Sequence, residues 1–422
     1  MRDVKITPAR LHGSVTVPPS KSAAHRAILC AALANGVSEI HNISLSDDMC
    51  ATIGAIQAMG ARVHYEKQIL KIDTTGSWTE SARIDCGESG STLRFFIPIA
   101  AALGMNAEFT GRGRLPQRPI GVYLDCLPPH GIVCQTEGGL PLRISGQLTP
   151  GRFVLPGNIS SQFITGLLLA LPLLNGDSEL LLSSPLESAA YVDMTIAIQR
   201  EFGIQIEPTK NGWSIRGRQS YHPRTYTVEG DWSQAAFFLA AGALGGELSI
   251  QGLNRNSTQG DKAAEALFAQ FGADIAWRGD ILTVKSKSLC GMEIDAAQIP
   301  DLVPILAATA ALCEGNTRIY HAERLRIKES DRLAAMTDGL TKLGANIQQT
   351  PDGLLITGVP RLHADCVQGY NDHRIVMALA IAALNADGEV QISDAQSIQK
   401  SYPQFFEDYN RLGGNADVVN LG

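Results

Sequence analysis

The stretch Arg326-Ile-Lys-Glu-Ser-Asp-Arg332 concentrates charge in a chain where only 18% of residues are Asp, Glu, Lys or Arg. If it opens a helix, Lys328 and Arg332 stand four apart on one face. That like-charge spacing costs about 0.2–0.5 kcal/mol unless an anion sits between them. The alternative is an ordinary solvated helix start, with Arg326 paired to Glu329 at i,i+3 and Ser330 or Asp331 as a local cap. Other cations lie far apart: Lys21-Ser-Ala-Ala-His-Arg26, Gln117-Arg118-Pro-Ile, Asp372-His-Arg374 and Lys400. Gathered in one place they would supply guanidinium forks and point-charge lysines, suited to substrates with more than one phosphate or carboxylate.

The rest of the chain must position them. At 422 residues it exceeds what one core usually supports, so two domains are expected. A net charge of -7 argues against nucleic acid as a partner, while leaving room for a local cationic pocket. The eight cysteines are spread out without a C-x-x-C, as reduced core thiols of a cytoplasmic protein would be. The N-terminus has no apolar signal core, and apolar runs such as 163–174 are too short for a membrane span, so no membrane partner is expected. Without H-E-x-x-H, Walker A or G-x-G-x-x-G, neither a metal nor a nucleotide cofactor is indicated.

A pattern of strand, polar turn, apolar helix, second strand and second helix recurs with a period of about 70 residues. Copies begin near Gly13, Ile84, Gly151, Tyr226, Met292 and Gly369. The first helix of each copy, read at 27–34, 93–103, 163–174, 235–244, 302–313 and 375–384, is apolar nearly all round and must be buried on every side. The second helices, near 49–59, 261–271 and 332–343, are amphipathic and end in Gly-Ala. This reads as an α/β protein of two similar halves, each with three βαβαββ-like repeats around buried parallel helices. The turns before the buried helices point N–H groups one way, ready for phosphate or carboxylate. Each turn is chemically distinct, more than capping alone requires.

In order, the motifs Pro-Ser-Lys21-Ser-x-x-x-Arg26, Gly-x-Ser-Gly90-Ser-Thr-x-Arg94, Gln-Arg118-Pro-Ile, Ser160-Ser161-Gln162-Phe, Pro-Asp301, Lys328-Glu329-Ser-Asp-Arg332 and Asn371-Asp-His-Arg374 resemble those of the 5-enolpyruvylshikimate-3-phosphate synthase family. The resemblance covers essentially the whole chain. It implies an enolpyruvyl transferase fold in which residues 20–229 form an inserted domain and residues 1–19 with 230–422 form the second, the active site lying in the cleft between them. It also implies transfer of enolpyruvyl from phosphoenolpyruvate to the 5-hydroxyl of shikimate 3-phosphate, in the route to aromatic compounds. No cofactor is implied, and a monomer acting on these two small molecules is expected. The halves are expected to close on substrate, since neither alone neutralises the combined negative charge.

Carried over by position, Lys21, Ser22, Arg26, Ser160, Ser161, Gln162, Ser188, Asp301 and Lys328 would hold shikimate 3-phosphate. Lys21, Gly90, Arg118, Gln162, Arg332, Arg374 and Lys400 would hold phosphoenolpyruvate. Asp301 resembles the family's proton acceptor and Glu329 its donor, with Lys21 also at the chemistry. Two positions depart from the family pattern: Glu88 replaces a frequent Asn, and Arg324 replaces an Asn that commonly meets shikimate 3-phosphate. The sister family acting on UDP-N-acetylglucosamine carries a Cys five residues before its Arg-Pro pair, where this chain has Gly113. A non-catalytic anion-binding repeat protein is the other alternative, and carboxylates in its pocket would gain it nothing.

Overall fold

In a computed structural model, which describes residues 2–76 and 78–420, the chain divides into two compact units. One is Met1–Pro18 with Glu229–Gly422; the other is Pro19–Val228. Pro19 therefore goes with the inserted unit and Glu229 with the other, each one residue from the expected boundary. Each unit has its own apolar core. Among the described residues, no helix is long and apolar enough to cross a membrane.

The described residues form six four-stranded sheets. In the copy beginning near Ile84, Ser81–Asp85 pairs parallel with Asn106–Thr110, which pairs antiparallel with Leu142–Gly146, itself antiparallel to Ile132–Gln135. A helix between parallel neighbours and a hairpin at the end give the βαβαββ order. A parallel pair needs a crossover connection, and the apolar helix supplies it.

Two repeats are assembled differently from the expectation. The strand at Gly13, His12–Thr16, does not open the first copy: it pairs parallel with Glu247–Gln251 in the other unit's sheet. The strand at Tyr226, Thr225–Thr227, pairs with Val37–His41 and completes the first copy's sheet. The two opening strands have changed places because the chain enters and leaves the inserted unit between each strand and its helix. A linear reading of period cannot register that exchange.

All but one of the buried helices begin earlier than their apolar stretches; the exception begins at Val303, after a 3-10 turn at Pro300–Leu302. They run Lys21–Ala32, Gly90–Ala102, Ser161–Ala170, Trp232–Ala243, Val303–Ala310 and His373–Ala382. Ser20, Ser89, Ser160, Asp231 and Asp372 cap five of them, each side chain accepting a backbone N–H from the first turn. Lys21, Gly90, Ser161 and Arg374 thus lie within first turns rather than in preceding loops. Close helix approach in the inserted unit depends on Gly166, where a Cβ would lie 2.4 Å from the Arg94 carbonyl and 2.3 Å from the Tyr123 hydroxyl.

Candidate active site

In the discontinuous unit, the side chains gather around Arg332, whose side chain is only 1% exposed. Its Nε donates to Asp372 Oδ2 at 2.8 Å, Nη1 to Asp301 Oδ1 at 2.9 Å, and Nη2 to Glu329 Oε2 at 2.7 Å. Arg374 donates to the Asp301 carbonyl at 3.0 Å and to its Oδ2 at 3.2 Å. Lys328 Nζ lies 3.6 Å from Asp301 Oδ1. Ser330 Oγ donates to Asp372 at 2.9 Å, and Lys400 Nζ to the Asn371 carbonyl at 2.6 Å.

The local pairing differs from the one expected. Lys328 is extended and precedes the helix Arg332–Lys342, which Asp331 caps by accepting from Ala334 N at 3.0 Å. Arg326 turns to Asp331 at 3.3 Å and to Gln349 at 2.9 Å, leaving Glu329 to Arg332. The anion that the Lys328–Arg332 spacing called for is the Asp301 carboxylate, shared by both cations.

Burial pushes the Asp301 carboxyl up, but Arg374, Lys328 and Arg332 outweigh burial and hold it well below the usual carboxylate range. Asp301 is therefore ionised at neutral pH. Burial also lowers Lys328, against the pull of Asp301. Asp372 is likewise raised by burial and brought below its ordinary value chiefly by Arg332. Asp261 is buried behind this group and receives a hydrogen bond from Ser233. Burial and the neighbouring Asp301 charge raise its carboxyl to about 6.

In the inserted unit, Lys21 pairs with Asp48 at 2.7 Å. Gly90 and Arg118 are adjacent: a Cβ at Gly90 would fall 2.6 Å from Arg118 Nη1. Gln162 accepts from Arg94 Nη1 at 2.6 Å and donates to Ser91 Oγ at 2.9 Å, which ties the first turns of two helices together. Ser160 caps the helix that Ser161 begins, and Ser188 sits before Ala189–Glu201 with a φ of 54°.

Arg26 is 3% exposed and donates to Thr195 at 2.7 Å, the Ser22 carbonyl at 2.7 Å and the Tyr191 carbonyl at 3.0 Å. Those contacts make it a brace that fixes the turn carrying Lys21 and Ser22. Of the two departures, Glu88 reaches over Gly113, where a Cβ would lie 2.5 Å from its Oε2 at a φ of +60°. A cysteine does not fit there without displacing that carboxylate. Arg324 donates to the Ala297 carbonyl at 2.6 Å and adds positive charge near Lys328.

The sequence reading did not single out Asp372, Asp48 or Asp261 as part of the site. Asp372 stood in plain view two residues before Arg374, in a motif quoted for its cation. Asp48 and Asp261 carried no local signal, because their partners are 27 and 28 residues away.

Comparison with known proteins agrees across the whole length. The family described as EPSP synthase (3-phosphoshikimate 1-carboxyvinyltransferase) matches residues 6–409. The 3-phosphoshikimate 1-carboxyvinyltransferase of Clostridium acetobutylicum is 46% identical, and that of Clostridium novyi 44%, each alignment covering 100% of both chains. An EPSP synthase structure from Acinetobacter baumannii matches with a TM-score of 0.84 over 100% of both chains at 26% identity. Since the family match takes in the residues around Arg332 as well as the Lys21, Gly90 and Ser161 helices, the chain belongs to the EPSP synthase family.

Proposed function

We propose that the chain transfers the enolpyruvyl group of phosphoenolpyruvate to the 5-hydroxyl of shikimate 3-phosphate, releasing phosphate, as a step of the shikimate pathway. Family membership supports the reaction. The observation that carries the chemistry is the pair of carboxylates, Asp301 and Glu329, held by one buried guanidinium. A pure anion receptor gains nothing from two carboxylates beside its cations.

In this reading the 5-hydroxyl loses its proton as its oxygen bonds to C2 of phosphoenolpyruvate, and C3 gains a proton to become a methyl group. Elimination then breaks the C2–O bond to phosphate and removes a methyl proton, restoring the double bond. Each half needs one acid and one base. Asp301, ionised, takes the hydroxyl proton, and Glu329 delivers the proton to C3. Cations hold Asp301 so strongly that it is a weak base before substrate arrives. As substrate anions take over Arg374 and Lys328, that stabilisation falls and its proton affinity rises.

Lys21, Ser22, Ser160, Ser161, Gln162 and Ser188 take shikimate 3-phosphate. Gly90, Arg118, Arg374 and Lys400 take phosphoenolpyruvate with Lys21. Arg332 serves here mainly to hold the two carboxylates at a fixed separation, since most of its donors already reach carboxylates.

Phosphate release assayed with each substrate alone and with both tests the reading: release should require both. Release with phosphoenolpyruvate and UDP-N-acetylglucosamine would replace the proposed acceptor. Binding of both ligands without turnover would leave only an anion receptor.

A further inference from the structure

Four side chains in the inserted unit form a line that the reaction does not use. His25 Nδ1 lies 2.7 Å from Thr52 Oγ1, Thr52 Oγ1 2.8 Å from Thr92 Oγ1, and Thr92 Oγ1 donates to Ser89 Oγ at 2.8 Å. All four are buried, Thr52 and Thr92 completely. They come from three helices: Lys21–Ala32, Asp47–Ala58 and Gly90–Ala102 with its cap.

The direction of the last bond orders the others. A hydroxyl has one proton, so a Thr92 that donates to Ser89 must accept from Thr52, and Thr52 must then accept from His25. His25 is thereby the neutral Nδ1–H tautomer. Burial, then Lys21 and Arg26, hold its imidazole well below the ordinary histidine range, in keeping with a neutral ring. Its Nε2 is buried without a partner among the described residues. A bare lone pair is the form such a nitrogen takes when the ring's single N–H is committed elsewhere.

The line ends on the cap of the helix whose first residue is Gly90. Ser89 Oγ also accepts from Thr92 N at 3.1 Å. The position of that cap sets how the Gly90 backbone meets Arg118. We infer that His25 is a positioning residue for the phosphoenolpyruvate end of the reaction, fixing the cap at Ser89 through Thr52 and Thr92. This rests on the functional reading above, in which Gly90 and Arg118 hold phosphoenolpyruvate. Of the serines assigned to shikimate 3-phosphate, Ser160, Ser161 and Ser188 stand at other helices, and Ser22 shares the helix of His25 without being part of the line.

His25→Phe and Thr52→Val each break the line while keeping similar bulk. Each should raise the KM for phosphoenolpyruvate about fivefold or more while leaving that for shikimate 3-phosphate within about twofold. The double variant should be no worse than the stronger single one, because a broken line cannot be broken twice. His25→Asn, which restores a donor near Nδ1, should bring the KM back to within about threefold of the unsubstituted protein. If His25→Phe does not fold, Thr52→Val carries the test alone. Equal rises in both KM values, additive effects, or an unchanged phosphoenolpyruvate KM would overturn the inference. Turnover by the unsubstituted protein judges the functional reading separately. Nitrogen-15 shifts of the His25 ring judge the line without any turnover: protonated Nδ1 with bare Nε2 supports it, and the opposite tautomer sinks it.

Discussion

Arg332 contributes through what it holds apart as much as through its charge. A guanidinium that is 1% exposed beside an Asp372 side chain that is 0% exposed forms a pair whose halves cannot be removed singly without leaving a buried charge. Arg332→Ala should cost about 3–5 kcal/mol of stability, seen as a lower urea midpoint, together with a loss of turnover. A variant of unchanged stability with only a raised phosphoenolpyruvate KM would return Arg332 to simple anion binding. Asp301→Asn and Glu329→Gln should each lower kcat about 100-fold or more with small effects on folding. Near-normal turnover in both would take the proton transfers away from them. The sequence showed Lys328, Glu329 and Arg332 because they share one dense local motif, whereas Asp301, a lone charge after Pro300, came only from the family resemblance. Asp372 was overlooked because a carboxylate beside an arginine reads as an ordinary local pair until burial shows that the two cannot do without each other.

Helices place these groups through their first turns, and small changes there should be read in binding. Gly90→Ala puts a methyl group where Arg118 now rests, 2.6 Å from Nη1. Arg118 must move, so the protein should melt normally while its KM for phosphoenolpyruvate rises about tenfold. A second effect belongs to the segment bearing Asp261. Its carboxyl, raised to about 6, keeps its proton in the folded chain where the unfolded chain has lost it. Its contribution therefore favours folding at low pH and is lost as pH rises through about 6. Asp301 and Asp372, both lowered, contribute above the ordinary carboxylate range near 4, and that contribution is lost as pH falls below it. The melting temperature should peak near about 4 and fall to a lower plateau above about 6. Asp261→Asn should flatten the upper limb only; an unchanged curve would mean that Asp261 is ionised throughout. The buried helices were legible as elements because they are apolar nearly all round. Their starts were not, since polar first turns look like loops until a cap is seen accepting their N–H groups.

At the scale of the whole molecule, periodicity disclosed six repeats but not which strand completes which sheet. The strands at Gly13 and Tyr226 have exchanged places, and nothing in a linear pattern encodes partners as remote as Leu248 for Gly13 and Ile40 for Tyr226. The inserted unit is one continuous segment with a core of its own. Pro19–Val228 produced alone should melt cooperatively, and a broad, gradual loss of structure would show that it depends on the remainder. The other unit has no such independence. Its strand Arg2–Thr7 lies between Val390–Ile392 and Asn415–Asn420. During synthesis on the ribosome, this strand must therefore wait, edge exposed, for partners as far downstream as Ile392 and Asn420. A nascent chain stalled shortly before residue 415 would carry a finished insert and an open, adhesive ribbon, which makes the closing strand the natural point for chaperone surveillance.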